Sequence, residues 1–187
     1  MRYEAVVVGA SSGGNAALTE ILSALPKDFP LPVVIAQHLH HLQDQDFFSY
    51  YNKICLLPVS IADEKETIKP GHIYFAPPNY HLLIEKDKTF SLSIDERVNF
   101  SRPSIDVLFE SAVDAYCPGL VGVILTGANT DGAQGLKQIK ENKGLTTVQD
   151  PSTATSDYMP RAALAAVNVD HVLPLKEIGP FLVSLVG

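Results

Sequence analysis

Short apolar segments alternate with amphipathic segments along most of the chain. The apolar segments predict buried strands over residues 4–8, 33–36, 57–61, 120–126, 145–148 and 171–173. The amphipathic segments carry apolar residues at helical spacing, and they predict helices over residues 14–25, 44–53, 103–116, 132–142, 161–167 and 178–186. This alternation predicts an α/β fold: a doubly wound, mostly parallel sheet with helices on both faces.

The middle of the chain has a different pattern. Three short strands are predicted at residues 72–76, 81–85 and 90–94, with a turn at Lys86-Asp87-Lys88. We expect them to form a small antiparallel hairpin or meander beside the main sheet. Pro58 lies within the segment 57–61, and because proline cannot donate a ladder hydrogen bond, that strand is expected at a sheet edge.

Composition and charge narrow the classes of protein to consider. The 187 residues contain no repeat and no linker-like segment, which predicts a single domain over residues 1–187. The formal net charge of −7 argues against a nucleic-acid partner, because phosphate binding requires a basic surface. Isolated Cys55 and Cys117, with no signal-peptide pattern, predict a cytoplasmic location. No apolar segment approaches the ~20 residues of a membrane span, so direct membrane insertion is not expected.

Functional loops of a parallel sheet lie at the carboxyl ends of its strands, and the first such loop contains Gly9-x-Ser11-x-Gly13. A serine on this kind of turn exposes its hydroxyl, beside helix N–H groups that can stabilise an anion. Those are the needs of a nucleophile. A phosphate-binding loop and a plain tight turn fit the same glycine pattern.

The second loop separates these interpretations. A dinucleotide site usually has an acidic residue after the second strand, whereas this chain has Gln37-His38 there. A histidine is a poor ribose anchor and a good general base, so catalysis by His38 is favoured over solvated loop histidines. Nearby side chains could alternatively bind a metal; they are His40, His41, Asp44 and Asp46. No metal is predicted, because neither a His-Glu-x-x-His helix nor a cysteine companion is present.

The third loop carries Asp131 immediately before a predicted helix. An aspartate at that position has a simple explanation as the N-cap of the helix. Gly127 and Gly132 would also let this loop approach another loop closely, so that Asp131 could reach the far nitrogen of His38. The order Ser, His, Asp differs from the Ser, Asp, His order of α/β-hydrolases, so the serine motif does not indicate that fold.

Together these loops and several other segments resemble the catalytic domain of the CheB family, the chemotaxis protein-glutamate methylesterases. The matching segments follow the family's order and span nearly the whole chain: GASSGG at 9–14, QH at 37–38, GHIYFAPP at 71–78, SRPSIDVLF at 101–109, VGVILTG at 121–127, DGA at 131–133 and MPRA at 159–162. Each segment is weak evidence by itself, but the set is specific.

The resemblance implies the same fold and assigns roles to residues. Ser11 matches the family's nucleophile, His38 its base and Asp131 its orienting carboxylate. The backbone N–H of Ser12 and an N–H near Ala128 fall where the family forms its oxyanion hole. The implied substrate is a γ-glutamyl methyl ester on a chemoreceptor helix, some members also deamidate glutamine, and neither a cofactor nor a metal is needed. The expected partner is a methylated chemoreceptor-like protein, with a methyltransferase or a histidine-kinase signalling complex as a second candidate.

Three departures from the family pattern bear on these expectations. The chain begins at its first strand, so control by a receiver domain in cis is not expected. Ala128 stands where the family often has methionine, which affects the shape of the oxyanion hole. Residues 39–42 replace a proline-containing stretch and are expected to alter the substrate-facing rim.

Two further residues are candidate substrate contacts. Arg102 could face an acidic neighbour on the substrate helix, and the alternative for Arg102 is an ion pair with Asp95, Glu96 or Asp106. Met159 could form a wall of the cleft, although local packing explains it equally well.

Two other functions compete with ester hydrolysis. A nucleotide-dependent oxidoreductase is disfavoured by Gln37-His38. A non-catalytic module that binds a receptor or a methyltransferase is disfavoured because a binding surface has no need of matched serine, histidine and aspartate.

Overall fold

The computed structural model describes residues 3–38 and 45–187. Within these ranges the strands are β1 Ala5–Ala10, β2 Val33–Gln37, β3 Val59–Ile61, β4 Ile73–Phe75, β5 His81–Ile84, β6 Phe90–Ser93, β7 Leu120–Ile124, β8 Leu145–Gln149 and β9 His171–Leu173. The α-helices are α1 Gly14–Ser23, α2 Gln45–Ile54, α3 Ile105–Tyr116, α4 Ala133–Glu141, α5 Tyr158–Ala166 and α6 Leu175–Ser184. No helix in this part of the chain is long and apolar enough to cross a membrane.

Seven strands form one parallel sheet in the order β3-β4-β2-β1-β7-β8-β9. The predicted doubly wound fold is therefore confirmed, and β3 lies at an edge, as Pro58 led us to expect. Every residue of the central strand β1 is buried, because helices cover both faces of the sheet.

The prediction for residues 72–76 was wrong in one respect. Only β5 and β6 form the antiparallel hairpin, whereas β4 pairs in parallel with β2 and β3. All three residues of β4 are buried, as in an interior strand covered on both faces. A short apolar segment shows that a strand forms but does not show which strands it joins.

The helices form two layers, each with its own core. Alternate residues of β1 point to opposite faces. On one face Val6 and Val8 belong to a cluster with apolar residues of α1 and α6, such as Leu18 and Ile178. On the other face Val7 belongs to a cluster built largely from α3, α4 and the hairpin. Burial on both faces fixes the central strands and therefore the positions of the loops that follow them.

The loops that follow β1, β2 and β7 meet at one edge of the sheet. Ala10 is opposite Gln37, so Ser11 and His38 occupy the next positions beyond the paired ends. The backbone bonding continues into the loops: the His38 N–H donates to the Ala10 carbonyl at 3.0 Å, and the Ser11 N–H donates to the Thr126 carbonyl at 3.0 Å. The three loops singled out by sequence are thus brought together by strand register.

Candidate active site

Ser11 lies on a turn that leaves β1 and enters α1. Gly13 at its end has φ of 81°, and a Cβ there would lie 2.6 Å from Cβ of Thr155, so only glycine fits. The Thr126 hydroxyl donates to the Ser12 carbonyl at 2.8 Å and fixes the turn from the neighbouring loop. Ser11 is partly exposed, and its hydroxyl makes no hydrogen bond to any residue that the structure describes. The hydroxyl is therefore free to turn toward an incoming carbonyl or toward His38.

His38 and Asp131 form a close pair beside this turn. Nε2 of His38 lies 2.7 Å from Oδ2 of Asp131; the His38 side chain is 13% exposed and that of Asp131 is fully buried. Asp131 accepts four other hydrogen bonds: from the Ile105 N–H to Oδ2, and to Oδ1 from Asn99 Nδ2, Ser104 Oγ and the Asp106 N–H. Because the carboxylate only accepts, His38 must carry its proton on Nε2.

These contacts also set the charge of Asp131. Burial, the largest influence, raises the pKa of the carboxyl, but the hydrogen bonds from His38, Ile105 and Asn99 outweigh it and lower the pKa below its ordinary value. The carboxylate is thus ionised and can stabilise an imidazolium on His38.

The structure decides against Asp131 as the N-cap of its own helix. The N-cap of α4 is Gly132, which makes no side-chain cap hydrogen bond. The Asp131 carboxylate instead lies at the start of α3 and accepts from Ile105 and Asp106, the first two residues of that helix. An anion is favourable there because the helix exposes free N–H groups and the positive end of its dipole. Gly132 permits this approach, since a Cβ on it would lie 2.7 Å from Cγ2 of Ile105.

Asn129 contacts the other nitrogen of the histidine, and the sequence did not single it out. Its Nδ2 lies 3.2 Å from Nδ1 of His38, while its Oδ1 accepts the Asp131 N–H at 3.1 Å. The only signal in the sequence was a polar side chain in a glycine-flanked loop, two residues before Asp131. Asn129 and Asp131 together occupy both nitrogens of the imidazole.

Asn99 and Asp106 extend the network behind Asp131. Nδ2 of Asn99 donates to Asp106 at 2.8 Å and to Asp131 at 3.0 Å, and Asp106 also accepts the Gly135 N–H at 2.7 Å. Burial, reinforced by the charge of Asp131, raises the pKa of Asp106 to about 6. The sequence had offered Asp106 only as an ion-pair partner for Arg102, and Asn99 not at all.

Asn99 reaches this position from a tight turn at the rim of the site. Val98 and Ser101 exchange two backbone hydrogen bonds, and between them Asn99 and Phe100 have φ of 50° and 64°. Two left-handed residues are the signature of a type I′ turn, whose second position is usually glycine. Phe100 occupies it here and is 95% exposed. A cleft of about 660 Å³ begins beside Asn99 and is lined on its far side by α5.

The two tentative substrate contacts have defined surroundings. The Arg102 guanidinium donates to the carbonyls of Ile94 and Asp95 at 2.7 and 2.9 Å, and it forms no ion pair within residues 3–38 and 45–187. Met159 is 1% exposed, and a Cβ at Gly127 would lie 2.5 Å from its Cε. These contacts agree with a packing role for Met159, and they hold Arg102 against its own loop; substrate contact by either stays a prediction.

The predicted oxyanion donors belong to the loops that carry Ser11 and Asn129. Ser12 follows Ser11 directly and Ala128 precedes Asn129, and both residues are exposed. Neither backbone N–H donates a hydrogen bond within the part of the chain that the structure describes. Two free N–H groups at this edge of the sheet fit the needs of an oxyanion hole, which stays a prediction.

A metal centre receives no support from the described residues, where no three metal-binding side chains come together. The candidate ligands His40, His41 and Asp44 lie outside the residues that the structure describes, as do residues 39–42 of the predicted rim.

Comparison with known proteins gives concordant matches over nearly the whole chain. A family model described as CheB methylesterase matches residues 6–182. A Leptospira interrogans protein (serovar copenhageni, strain Fiocruz L1-130), provisionally named protein-glutamate methylesterase/protein-glutamine glutaminase, is 58% identical over 99% of this chain and 96% of its own length. Protein-glutamate methylesterase/protein-glutamine glutaminase 4 of Geobacter metallireducens is 40% identical over 98% of this chain and 53% of its own. The crystal structure of the Thermotoga maritima CheB methylesterase catalytic domain superposes with a TM-score of 0.93 at 31% identity, covering 99% of this chain and all of that one.

Proposed function

The chain belongs to the CheB methylesterase family, and we propose that it hydrolyses γ-glutamyl methyl esters on chemoreceptor-type proteins through Ser11, His38 and Asp131. It is thus a serine carboxylic-ester hydrolase whose relatives are named for methylesterase and glutaminase activities. Deamidation of protein glutamine is the second proposed reaction, because the amide carbonyl is attacked in the same way.

One observation carries this proposal. The 2.7 Å contact between His38 and the buried Asp131 carboxylate lies directly beyond the strand end that presents Ser11. A dinucleotide-binding site would instead present a carboxylate free to hold ribose hydroxyls after the second strand. Here that position is a histidine already engaged with Asp131, which supports general-base chemistry over cofactor binding.

The proposed reaction proceeds by acyl transfer in two stages. Ser11 Oγ attacks the ester carbonyl carbon while Nδ1 of His38 takes the hydroxyl proton, and Asp131 stabilises the imidazolium through Nε2–H. The negative charge on the carbonyl oxygen is stabilised by the N–H groups of Ser12 and Ala128. The C–O bond to the methoxy group breaks, and His38 returns the proton so that methanol leaves.

The second stage regenerates the enzyme. A water molecule gives its proton to Nδ1 of His38 and attacks the acyl-enzyme carbon. Collapse of this intermediate releases glutamate, and Ser11 recovers its proton from His38. With a glutamine substrate the same sequence releases ammonia instead of methanol. Each step requires only side chains and backbone groups of this chain and water.

The family acts on methylated chemoreceptors in chemotaxis, and this general kind of substrate is carried over to the chain. We further propose that it works in the cytoplasm, because the free thiols of Cys55 and Cys117 fit a reducing compartment. A methyltransferase or a histidine-kinase signalling complex is the proposed second partner.

The direct test is methanol release from methylated receptor fragments. We expect release by the wild-type chain, none by Ser11→Ala or His38→Ala, and full release by Ser23→Ala, which makes the same change at an exposed serine of α1. Ammonia release from fragments with glutamine at the same sites tests deamidation.

A binding assay separates catalysis from a pure binding function. Ser11→Ala should retain the methylated fragment in a pull-down, because the change removes only one partly exposed hydroxyl. If the folded wild type captures fragments from several receptors but releases no methanol, the chain is a binding module and the proposed hydrolysis is wrong.

A further inference from the structure

Both ring nitrogens of His38 are engaged by neighbouring side chains. Nε2 donates to Asp131, so Nδ1 carries the lone pair, and Asn129 Nδ2 lies 3.2 Å from it. The orientation of the Asn129 amide is fixed independently, because its Oδ1 must face the Asp131 N–H that donates to it at 3.1 Å. The group that faces Nδ1 is therefore the amide NH2, which donates a hydrogen bond to the general-base nitrogen.

This bond competes with the activation of Ser11. An imidazole nitrogen has one lone pair in the ring plane and accepts one well-aligned hydrogen bond. The Ser11 hydroxyl must donate along the same direction before its proton can move to Nδ1. In agreement, the Ser11 hydroxyl has no hydrogen bond within the described ranges.

We propose that Asn129 is a positioning residue that holds the base nitrogen of His38, and that Ser11 becomes nucleophilic only when it replaces Asn129 there. This inference rests on the proposed hydrolase function and adds a control on its nucleophile. The Asn129–His38 bond keeps the imidazole in the plane and tautomer that the reaction needs, at the cost of a lower reactivity of Ser11.

The loop provides the means for this exchange. Asn129 is half-buried between two exposed residues, Ala128 and Thr130, and the partners of its amide are polar groups rather than core side chains. Ser101 Oγ lies 3.5 Å from the same Nδ2 and offers an alternative acceptor when the amide leaves His38. Exchanging one hydrogen bond for another changes the free energy by about as much as one net hydrogen bond between neutral groups. That free energy corresponds to about a five-fold change in rate.

The test uses Asn129→Ser in the full chain. A serine hydroxyl at position 129 can still accept a hydrogen bond from the Asp131 N–H, as the Asn129 side chain does. The serine side chain is too short to reach His38. The readout is the rate of Ser11 labelling by a small fluorophosphonate, measured for all variants at the same pH of about 8. We expect labelling about five-fold faster than in the wild type. Asn142→Ser, the same change at an exposed position, controls for the substitution itself.

Asn129→Asp should have the opposite effect on the rate of Ser11 labelling. The carboxylate can still accept from Asp131, but its second oxygen would accept a proton from Nδ1 and stabilise doubly protonated His38, which faces the Asp131 carboxylate on its other side. We expect slower labelling, with the acid limb of the labelling profile moved to higher pH. A purely structural role for Asn129 would lower the thermal midpoint of both variants without opposite effects on labelling.

Unchanged or slower labelling of folded Asn129→Ser overturns the inference. Because labelling needs no receptor, this result is independent of the proposed substrate. A chain that labels at Ser11 but releases no methanol contradicts the proposed function alone, and the comparison of the Asn129 variants still decides the role of Asn129.

Discussion

Replacing Asp131 by asparagine should damage catalysis and stability by separate, calculable amounts. The side chain keeps its shape, but one of its two oxygens becomes an NH2 group. Oδ1 receives three donors: the fixed backbone N–H of Asp106, Asn99 Nδ2, which Asp106 also holds, and the Ser104 hydroxyl. Oδ2 receives only the His38 ring and the Ile105 N–H. The amide should therefore place its oxygen at the Oδ1 position and its NH2 at the Oδ2 position.

That orientation changes the tautomer of His38. Nε2 would have to accept from the new NH2 group, so the ring proton would move to Nδ1 and the base nitrogen would be lost. The corresponding substitution in Ser-His-Asp proteases lowers kcat about 10⁴-fold, which is equivalent to about 5.4 kcal/mol of transition-state stabilisation. We expect a loss of that order in methanol release.

The stability effect comes from the start of α3. The buried Ile105 N–H would face an NH2 donor in place of an oxygen, at a cost of about 1–3 kcal/mol. For a chain of this size, 2 kcal/mol corresponds to a thermal midpoint lower by roughly 4–8 °C. Ser11→Ala, which removes a hydroxyl without a hydrogen bond in the described ranges, should leave the midpoint nearly unchanged.

Three measurements check this reasoning: initial rates of methanol release, thermal unfolding by circular dichroism, and nitrogen-15 NMR of the His38 ring. The NMR signals distinguish a proton on Nδ1 from one on Nε2. A kcat within tenfold of the wild type, or a lost activity with the proton still on Nε2, would refute the assignment of Asp131 as the orienting carboxylate.

Three further changes should have distinct readouts. Asp106 has a folded-state pKa of about 6, above its ordinary 3.8, so it contributes stability that is present below about pH 4 and lost as the pH rises through about 6. Asp106→Asn should therefore flatten this part of the pH dependence of the unfolding free energy, measured by urea unfolding. An unchanged slope would assign the pH dependence to another group. Phe100→Gly should raise the free energy of unfolding by up to about 1 kcal/mol, because glycine adopts the left-handed backbone without steric cost; if the exposed ring contacts the substrate helix, KM rises while the thermal midpoint also rises. Arg102→Ala should lower stability by about 1–2 kcal/mol, because its guanidinium holds two carbonyls of its own loop; a higher KM at unchanged stability would instead support the predicted substrate contact.

The positions of the three main site residues could be predicted because each follows a strand of the same parallel sheet. Ser11, His38 and Asp131 come from loops that strand register alone places at one edge. Local patterns were sufficient for this, since buried strands and amphipathic helices are easily recognised. Local sequence could not decide whether Asp131 caps its own helix, because its contacts with His38 and Ile105 depend on the docking of α3 against that loop.

The remaining partners of the site could not be read from the sequence. Asn99 and Ser104 come from an irregular segment between the hairpin and α3, whose path follows no periodic pattern. Asn129 sits in a predicted loop, but its contact with His38 depends on side-chain directions that spacing does not encode. The predicted pairing of β4 was wrong for a similar reason, because the whole topology determines which strands are neighbours in a sheet.

The central position of β1 has a consequence for how the protein becomes active during synthesis. The first 38 residues contain Ser11 and His38, but the partner of His38 is 93 positions further along the chain. The carboxylate of Asp131 in turn needs the donors at the start of α3, and β7 must first pair beside β1. Such distant parallel pairings form slowly, since a large loop must be closed before any contact is gained. A nascent chain therefore remains inert until most of its length has emerged, and esterase activity should arise in a single late folding step.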